Sequence, residues 1–343
     1  MDVLHVFGST QSDFYFKLSK LYASAVLRPV GVNHRFAAVS VNRTWRFGKD
    51  VDDLGPELPL DQAISQIGTP DLVVPHMFCR NGMTAYRALI EDVLELPLVV
   101  ATASVSGLAT SKLWTRDVVA SAGVNVARGE RVQRGDTPSI DFPFVVKPDS
   151  EDNSLGISFV DSEEDAEAAV AHAFEFDDSV FAEEFIPGRE LRAAVVDTGD
   201  DLICPAFIEY PVSEARPIRE VADKLEAEEA GQGKLQQSTR DDAQPICPAH
   251  VSKDLAQKLK QAAIKAHGAL GARDYSLFDF RVHRDTGKPY LLEAGLCWSF
   301  SDLSAITKML RGANMDADAV TLAIWENAAA RKVRPNRVKF AAA

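Results

Sequence analysis

Residues 277–295 read LFDFRVHRDTGKPYLLEAG, two apolar runs joined by a polar turn, each run with a carboxylate in its middle. Asp279 and Glu293 stand where a strand would ordinarily carry Val. Strands tolerate Asp poorly, and a buried acid without a partner is costly. At a period of two, Leu277, Asp279, Arg281 and His283 share one face, and Phe278, Phe280 and Val282 the other. In the second run Leu291, Glu293 and Gly295 alternate with Tyr290, Leu292 and Ala294. One face of this hairpin is apolar and the other carries two acids on neighbouring strands, which repel unless a cation lies between them. Few, hard oxygen ligands describe a Mg²⁺ site completed by phosphate oxygens. The competing reading is an exposed hairpin face with scattered charges, and the hairpin alone leaves both open.

Two further stretches carry suitable chemistry. In VVKPDSEDNSLGI (145–157), Lys147 ends an apolar strand before a turn rich in Ser, Asn and Gly. A lysine there can pair with phosphate oxygens while loop amides close over them. AEEFIPGREL (182–191) sets Glu183 and Glu190 on either side of a Pro-Gly break, where a base can meet backbone and a ribose a carboxylate. Taken singly, each reads more readily as a charged strand end, and only the combination points to a nucleotide. The patterns G-x-x-x-x-G-K-[ST], G-x-G-x-x-G after a strand, H-E-x-x-H and G-x-S-x-G are absent, which removes the P-loop, dinucleotide, zincin and hydrolase readings.

The elements that must position these residues belong to an ordinary globular chain. Its 343 residues are 46% hydrophobic and 25% charged, enough for two or three units with real cores. A net charge of −13 argues against a nucleic-acid or anionic-membrane binder. The four cysteines lie far apart without a C-x-x-C pair, so neither a zinc cluster nor a disulfide framework is expected, and a cytoplasmic setting fits. The N-terminus MDVLHVFGST lacks a basic region before a long apolar stretch, so no signal peptide is expected. No apolar run reaches the roughly 18–20 residues of a membrane helix.

Strand and helix patterns alternate through the first 105 residues. VLHVFG, RFAAVSV, PDLVVPHMF and LPLVVAT read as strands, SDFYFKLSKLYASAVL as a helix capped by Ser12 or Asp13, and MTAYRALIEDVLE as another helix. This is the signature of an open α/β sheet. LATSKLWTRDVVASAG follows as a helix capped by Thr110 or Ser111, then the strands FPFVVKPDS, SLGISFV and SVFAEEFI around the helix SEEDAEAAVAHAFEF. After Pro187-Gly188 come a hairpin turning at Thr198-Gly199-Asp200, a polar aperiodic loop over 226–245, the helix SKDLAQKLKQAAIKAHGALG, the hairpin of 277–295 and a terminal helix around 315–330. A loop as long as 226–245 suits a lid.

The ordered set FVVKP, SLGI, AEEFIPGREL, LFDF and PYLLEAG resembles the ATP-grasp superfamily, in its D-alanine–D-alanine ligase-like branch. The resemblance runs from about residue 76 to 304. Within the branch, HMFCRNGMTAYRALIEDVLELP, VVKPDSEDNSLG, ADKL and YSLFDFR with LLEAGLCWSF look like the ligases of mycosporine-like amino acid biosynthesis. The resemblance implies an α/β (α+β) ATP-grasp fold with an N-terminal open-sheet domain over 1–105, a central subdomain over 106–187, a C-terminal subdomain over 188–330 and a basic tail over 331–343. ATP would lie between the last two domains, with Lys112, Lys147 and Lys224 on its phosphates, Glu183 and the Ile186 backbone at the adenine, and Glu190 at the ribose. Ser150 and Ser154 would belong to the loop over the triphosphate, and Asp279 and Glu293 would hold Mg²⁺. His76 and Asn81 would meet the first substrate, Ser299 and Ser304 the second. The substrates implied are a cyclohexenone of the mycosporine-glycine type and a Ser- or Thr-like amino acid, in a homodimer that binds neither nucleic acid nor membrane.

Two positions depart from the peptide ligases of that branch. They carry Arg two residues before the metal-binding Asp, where this chain has Leu277, and Asn two after the metal-binding Glu, where it has Gly295. Arg281, on the same face, is the candidate replacement for the missing catalytic cation, with Lys224 beside it. The departures keep three expectations in play: the mycosporine ligase, a ligase joining two amino acids through an acyl phosphate, and a nucleotide-binding protein without turnover.

Overall fold

The computed structural model describes residues 1–151, 154–220, 225–227, 235–237 and 244–331. Its first sheet has the order β3-β2-β1-β4, from β1 (Asp2–Gly8), β2 (Asn33–Val39), β3 (Trp45–Gly48) and β4 (Leu72–Pro75). β1 runs parallel to β2 and β4 and is buried on both faces, hence its nearly unbroken apolar sequence. It ends at Gly8, whose φ of 111° and position 2.1 Å (for an added Cβ) from the Val39 carbonyl oxygen exclude any side chain. The chain then enters the helix Asp13–Ser24, capped by Ser12, whose hydroxyl accepts from the Tyr15 amide.

A second sheet of order β5-β8-β6-β7 is wholly antiparallel, from β5 (Gly129–Val132), β6 (Phe144–Pro148), β7 (Ser158–Val160) and β8 (Val180–Glu184). Phe144, Val146, Val180 and Ala182 pack on the helix Glu163–Ala173. Alternation sends Lys147 and Glu183 to the other face.

The third sheet is built the same way. β9 (Gly188–Asp197) pairs with β10 (Leu202–Ile203) and β11 (Ile208–Tyr210). A separate two-stranded ribbon, β12 (Leu225–Ala227) with β13 (Leu235–Gln237), precedes β14 (Tyr275–His283) and β15 (Pro289–Gly295), and the main path is β10-β9-β14-β15. Leu191, Ala193, Val195, Phe278, Phe280 and Val282 face the helix Lys253–Leu270, which starts at the Ser252 cap and stops at Gly271 in the left-handed conformation. The polar face looks back at the second sheet.

Beyond β15 the chain returns to the first sheet. Trp298, Phe300, Met309, Ile324 and Trp325 share a core with Val3, Val6 and Phe36. Three expected elements differ. LPLVVAT forms one bridge, Val73 to Leu98, because Val100 takes a φ of 98° and gives its amide to Asp274 while Arg273 and Arg331 occupy the Val100 and Leu98 carbonyls. MTAYRALIEDVLE divides into the short helix Ala85–Ala88 and a π turn, Leu89–Val93. The loop of 226–245 lies mostly outside the described residues, but 235–237 and 225–227 pair as β13 and β12. Among the described residues no helix is long and apolar enough to cross a membrane.

Candidate active site

Strand register sets the charges on the polar face of the third sheet. On β9 and β14, Glu190 stands opposite Arg281 and Arg192 opposite Asp279; on β15, Glu293 stands opposite Asp279. The hairpin ladder shifts register between Asp279 and Phe280, a local bulge next to the acids. Arg192 grips Asp279 with both arms, Nε to Oδ1 at 2.5 Å and Nη2 to Oδ2 at 2.6 Å. Burial works against the charge on Arg192, but Asp279, and more weakly Glu293, outweigh it and hold the guanidinium well above its ordinary value.

Arg281 sits differently from the expectation for it. Its Nε donates to the Ile186 carbonyl at 3.1 Å and its Nη1 to the Pro217 carbonyl at 3.0 Å, with Glu190 at 3.5 Å and the Phe185 ring beneath it. Burial lowers its pKa, and Glu190 opposes that. Arg281 therefore braces the strand break at Pro187-Gly188, and the guanidinium standing at the acid pair is that of Arg192.

The facing wall comes from the second sheet and the helix Lys112–Ser121. Lys147 and Arg116 converge on the buried Glu183, one on each oxygen. Asp149 ties down the helix start, accepting from Ser111 Oγ at 2.7 Å and the Leu113 amide at 2.8 Å. That fixes Lys112, whose Nζ contacts the Glu151 carbonyl and lies 3.7 Å from Glu293 Oε1. The Ser150 amide donates to Asp177, and Ser154 takes a φ of 65° at the return of the loop.

Between the walls lies a cleft of about 990 Å³ whose lining includes Asn81, Lys112, Arg192, Tyr210, Asp279 and Ser304. A narrower extension of about 70 Å³ is lined by Lys147, Ser154, Glu183, Ile186, Glu190 and Arg281, among others. The first has the volume of a ligand pocket and the second is far smaller. The Lys147–Glu183 and Arg281–Glu190 pairs line that narrow end.

His76 lies away from the cleft. It is wholly buried, its Nε2 2.9 Å from His5 Nδ1, and burial pushes its pKa down to about 3. Asn81 does line the cleft and donates to Thr10 Oγ1. Ser299 and Ser304 also line it, 2.7 Å apart, and Ser301 completes a buried hydroxyl cluster at the start of the helix Ala305–Gly312. One turn along that helix, Lys308 joins the lining, its ammonium pKa lowered by burial. Lys224 lies outside the described residues. Arg192, Arg116, Arg219 and Tyr210 escaped the sequence reading. Each sits alone in an unremarkable string, and only β pairing brings Arg192 to Asp279.

The donor set suits a magnesium nucleotide. Among the described residues no three His, Cys, Asp or Glu cluster as a cage; Asp279 and Glu293, register partners on the hairpin, would offer two hard oxygens to a metal whose remaining positions phosphate and water would fill. Mg²⁺ held there would neutralise phosphate charge during transfer. Paired carboxylates thus face two lysines across a cleft between two antiparallel sheets. The chain belongs to the family described as "D-ala D-ala ligase C-terminus", whose model matches residues 118–324. It is 30% identical over 265 residues to the D-alanine–D-alanine ligase of Geobacter sulfurreducens, covering 75% of this chain and 76% of that one. Its fold is similar to the VanG D-Ala:D-Ser ligase of Enterococcus faecalis, with a TM-score of 0.75 at 20% identity over 96% of this chain and 99% of the other. It is also similar to the Bacillus anthracis D-alanine–D-alanine ligase complexed with ATP, with a TM-score of 0.69 at 15% identity over 96% and 97%. The protein is an ADP-forming, C–N bond-forming ligase of a family that uses ATP and Mg²⁺.

Proposed function

We propose that this ligase phosphorylates the ring oxygen of a cyclohexenone of the mycosporine-glycine type and joins the activated carbon to the amine of a Ser- or Thr-like amino acid. The amine nitrogen attacks the carbon bearing the phosphorylated oxygen, that C–O bond breaks, and phosphate leaves with the oxygen. The nitrogen sheds its protons and an imine remains. Lys112, Lys147 and Lys224 serve the phosphates, Asp279 and Glu293 the metal, and Ser299 with Ser304 the amino-acid carboxylate.

One observation carries this reading. Leu277 and Gly295, at the positions where peptide ligases keep Arg and Asn, face each other across the hairpin. A Cβ added at Gly295 would lie 3.5 Å from the Leu277 Cβ, in ordinary contact with an apolar group. Beside the acids the cleft wall thus carries a small apolar patch at Leu277 and Gly295 with little side chain. That surface suits the face of a ring better than a second metal or an acyl phosphate.

A second reading, a ligase joining two amino acids through an acyl phosphate, is favoured by the family and by relatives named D-alanine–D-alanine ligase. ADP release separates the two. The proposed function requires cyclohexenone and amino acid together; equal release with D-alanine alone would establish the second.

A further inference from the structure

Arg192 has a place in the cleft and, so far, no part in the chemistry. Its side chain is 23% exposed and lines the large chamber, beside the Tyr210 ring at 5.1 Å. A guanidinium offers five N–H donors, of which Asp279 takes two. The neighbouring arginines are committed elsewhere. Arg281 holds two backbone carbonyls, and Arg219 sits over the Tyr210 ring at 3.6 Å with an arm toward Glu190.

Charge then constrains what the floor of the cleft can bind. Asp279 and Glu293 balance Arg192 and Lys112, so the four groups sum to zero. A divalent cation bound by the two acids would leave an excess of two positive charges facing the chamber. It would also compete for both Asp279 oxygens that Arg192 now grips. A freed guanidinium fork matches the oxygens of a phosphoryl group in shape and charge.

We propose that Arg192 is a two-position cation: it holds Asp279 in this structure, and once Mg²⁺ takes that carboxylate it turns its fork to the phosphoryl group transferred from the nucleotide. Phosphate binding is then coupled to prior binding of metal and nucleotide. The inference rests on the ATP-dependent reading of the same site, but not on the identity of the acceptor.

Orthophosphate titrated calorimetrically into the full-length protein, with and without saturating Mg·ADP, tests it. Wild type should bind orthophosphate roughly tenfold or more tightly with Mg·ADP present, the effect of one charge-assisted pair. Arg192→Met should lose that gain while still binding Mg·ADP. Arg192→Lys, which keeps the charge without the fork, should keep only part of it, and it decides the matter where the Met variant fails to fold. Full coupling in the Lys variant, or orthophosphate binding in wild type that ignores Mg·ADP, would overturn the proposal. Failure of wild type to bind Mg·ADP would instead count against the nucleotide site itself.

Discussion

Lys112 Nζ lies 3.7 Å from Glu293 Oε1, so a lysine at the start of the helix Lys112–Ser121 reaches the acid in the middle of β15. This contact joins the second sheet's side of the cleft to the hairpin of the third. An attacking group and a leaving phosphate held between those walls need charge neutralised from both.

Removing a carboxylate should therefore remove catalysis before it removes the fold. Glu293→Gln is expected to lower turnover by about a hundredfold or more, the scale of losing preorganised transition-state charge, with an unchanged circular dichroism spectrum. Asp279→Asn should do the same and also lose ~2 kcal/mol of stability, because Arg192 is left without its charged partner. Near-normal ADP release from either variant would contradict the metal assignment.

Lys147 is paired with Glu183, and Arg116 stays on that carboxylate when Lys147 is gone. Lys147→Ala should therefore fold, yet bind ATP about tenfold or more weakly, the loss of one charged hydrogen bond. Equilibrium dialysis with ATP checks this, and an unchanged affinity would remove Lys147 from the phosphates.

Ser304 sits in a cluster of three hydroxyls beside the cleft. Ser304→Ala should raise KM for the amino acid by roughly fivefold to tenfold and leave KM for the ring acceptor unchanged. Equal rises for both substrates would mean that the cluster shapes the cleft as a whole.

His5 and His76, both buried, and the half-buried His34 form a relay, with His5 Nδ1 and Nε2 each 2.9 Å from a neighbouring imidazole. Burial lowers all three pKa values, that of His76 to about 3. The unfolded chain binds protons near the ordinary histidine value of 6.5 and the folded chain does not. For His76 stability is thus full above that pH and declines as the pH falls toward 3, by ~1.4 kcal/mol per pH unit, and the lowered His5 acts in the same direction. Denaturant titrations at pH 7.5 and 5 measure it; equal midpoints would show that the relay is protonated in the folded protein.

The legible part of this protein is what local pattern controls. Alternation in LFDFRVH and LLEAG marks Asp279 and Glu293 as neighbours on one face, and they are register partners. The Ser252 cap and Gly271 stop delimit a helix from sequence alone. Long-range pairing was hidden. Arg192 meets Asp279 across 87 residues, and Trp298 and Trp325 join the core of a sheet that begins at Asp2. His76 looked like a substrate contact because it opens a motif string, but its ring turns to His5 inside the first core. Nothing in the string HMFCRNGMT encodes which of its side chains faces the cleft.

The most direct test follows one atom. With heavy oxygen placed in the ring carbonyl of the cyclohexenone, and Ser or Thr, Mg²⁺ and ATP supplied, the label should appear in the released phosphate, one atom per imine formed. Label left in recovered cyclohexenone while ADP accumulates, or ADP released equally well from D-alanine with no ring present, would contradict the account.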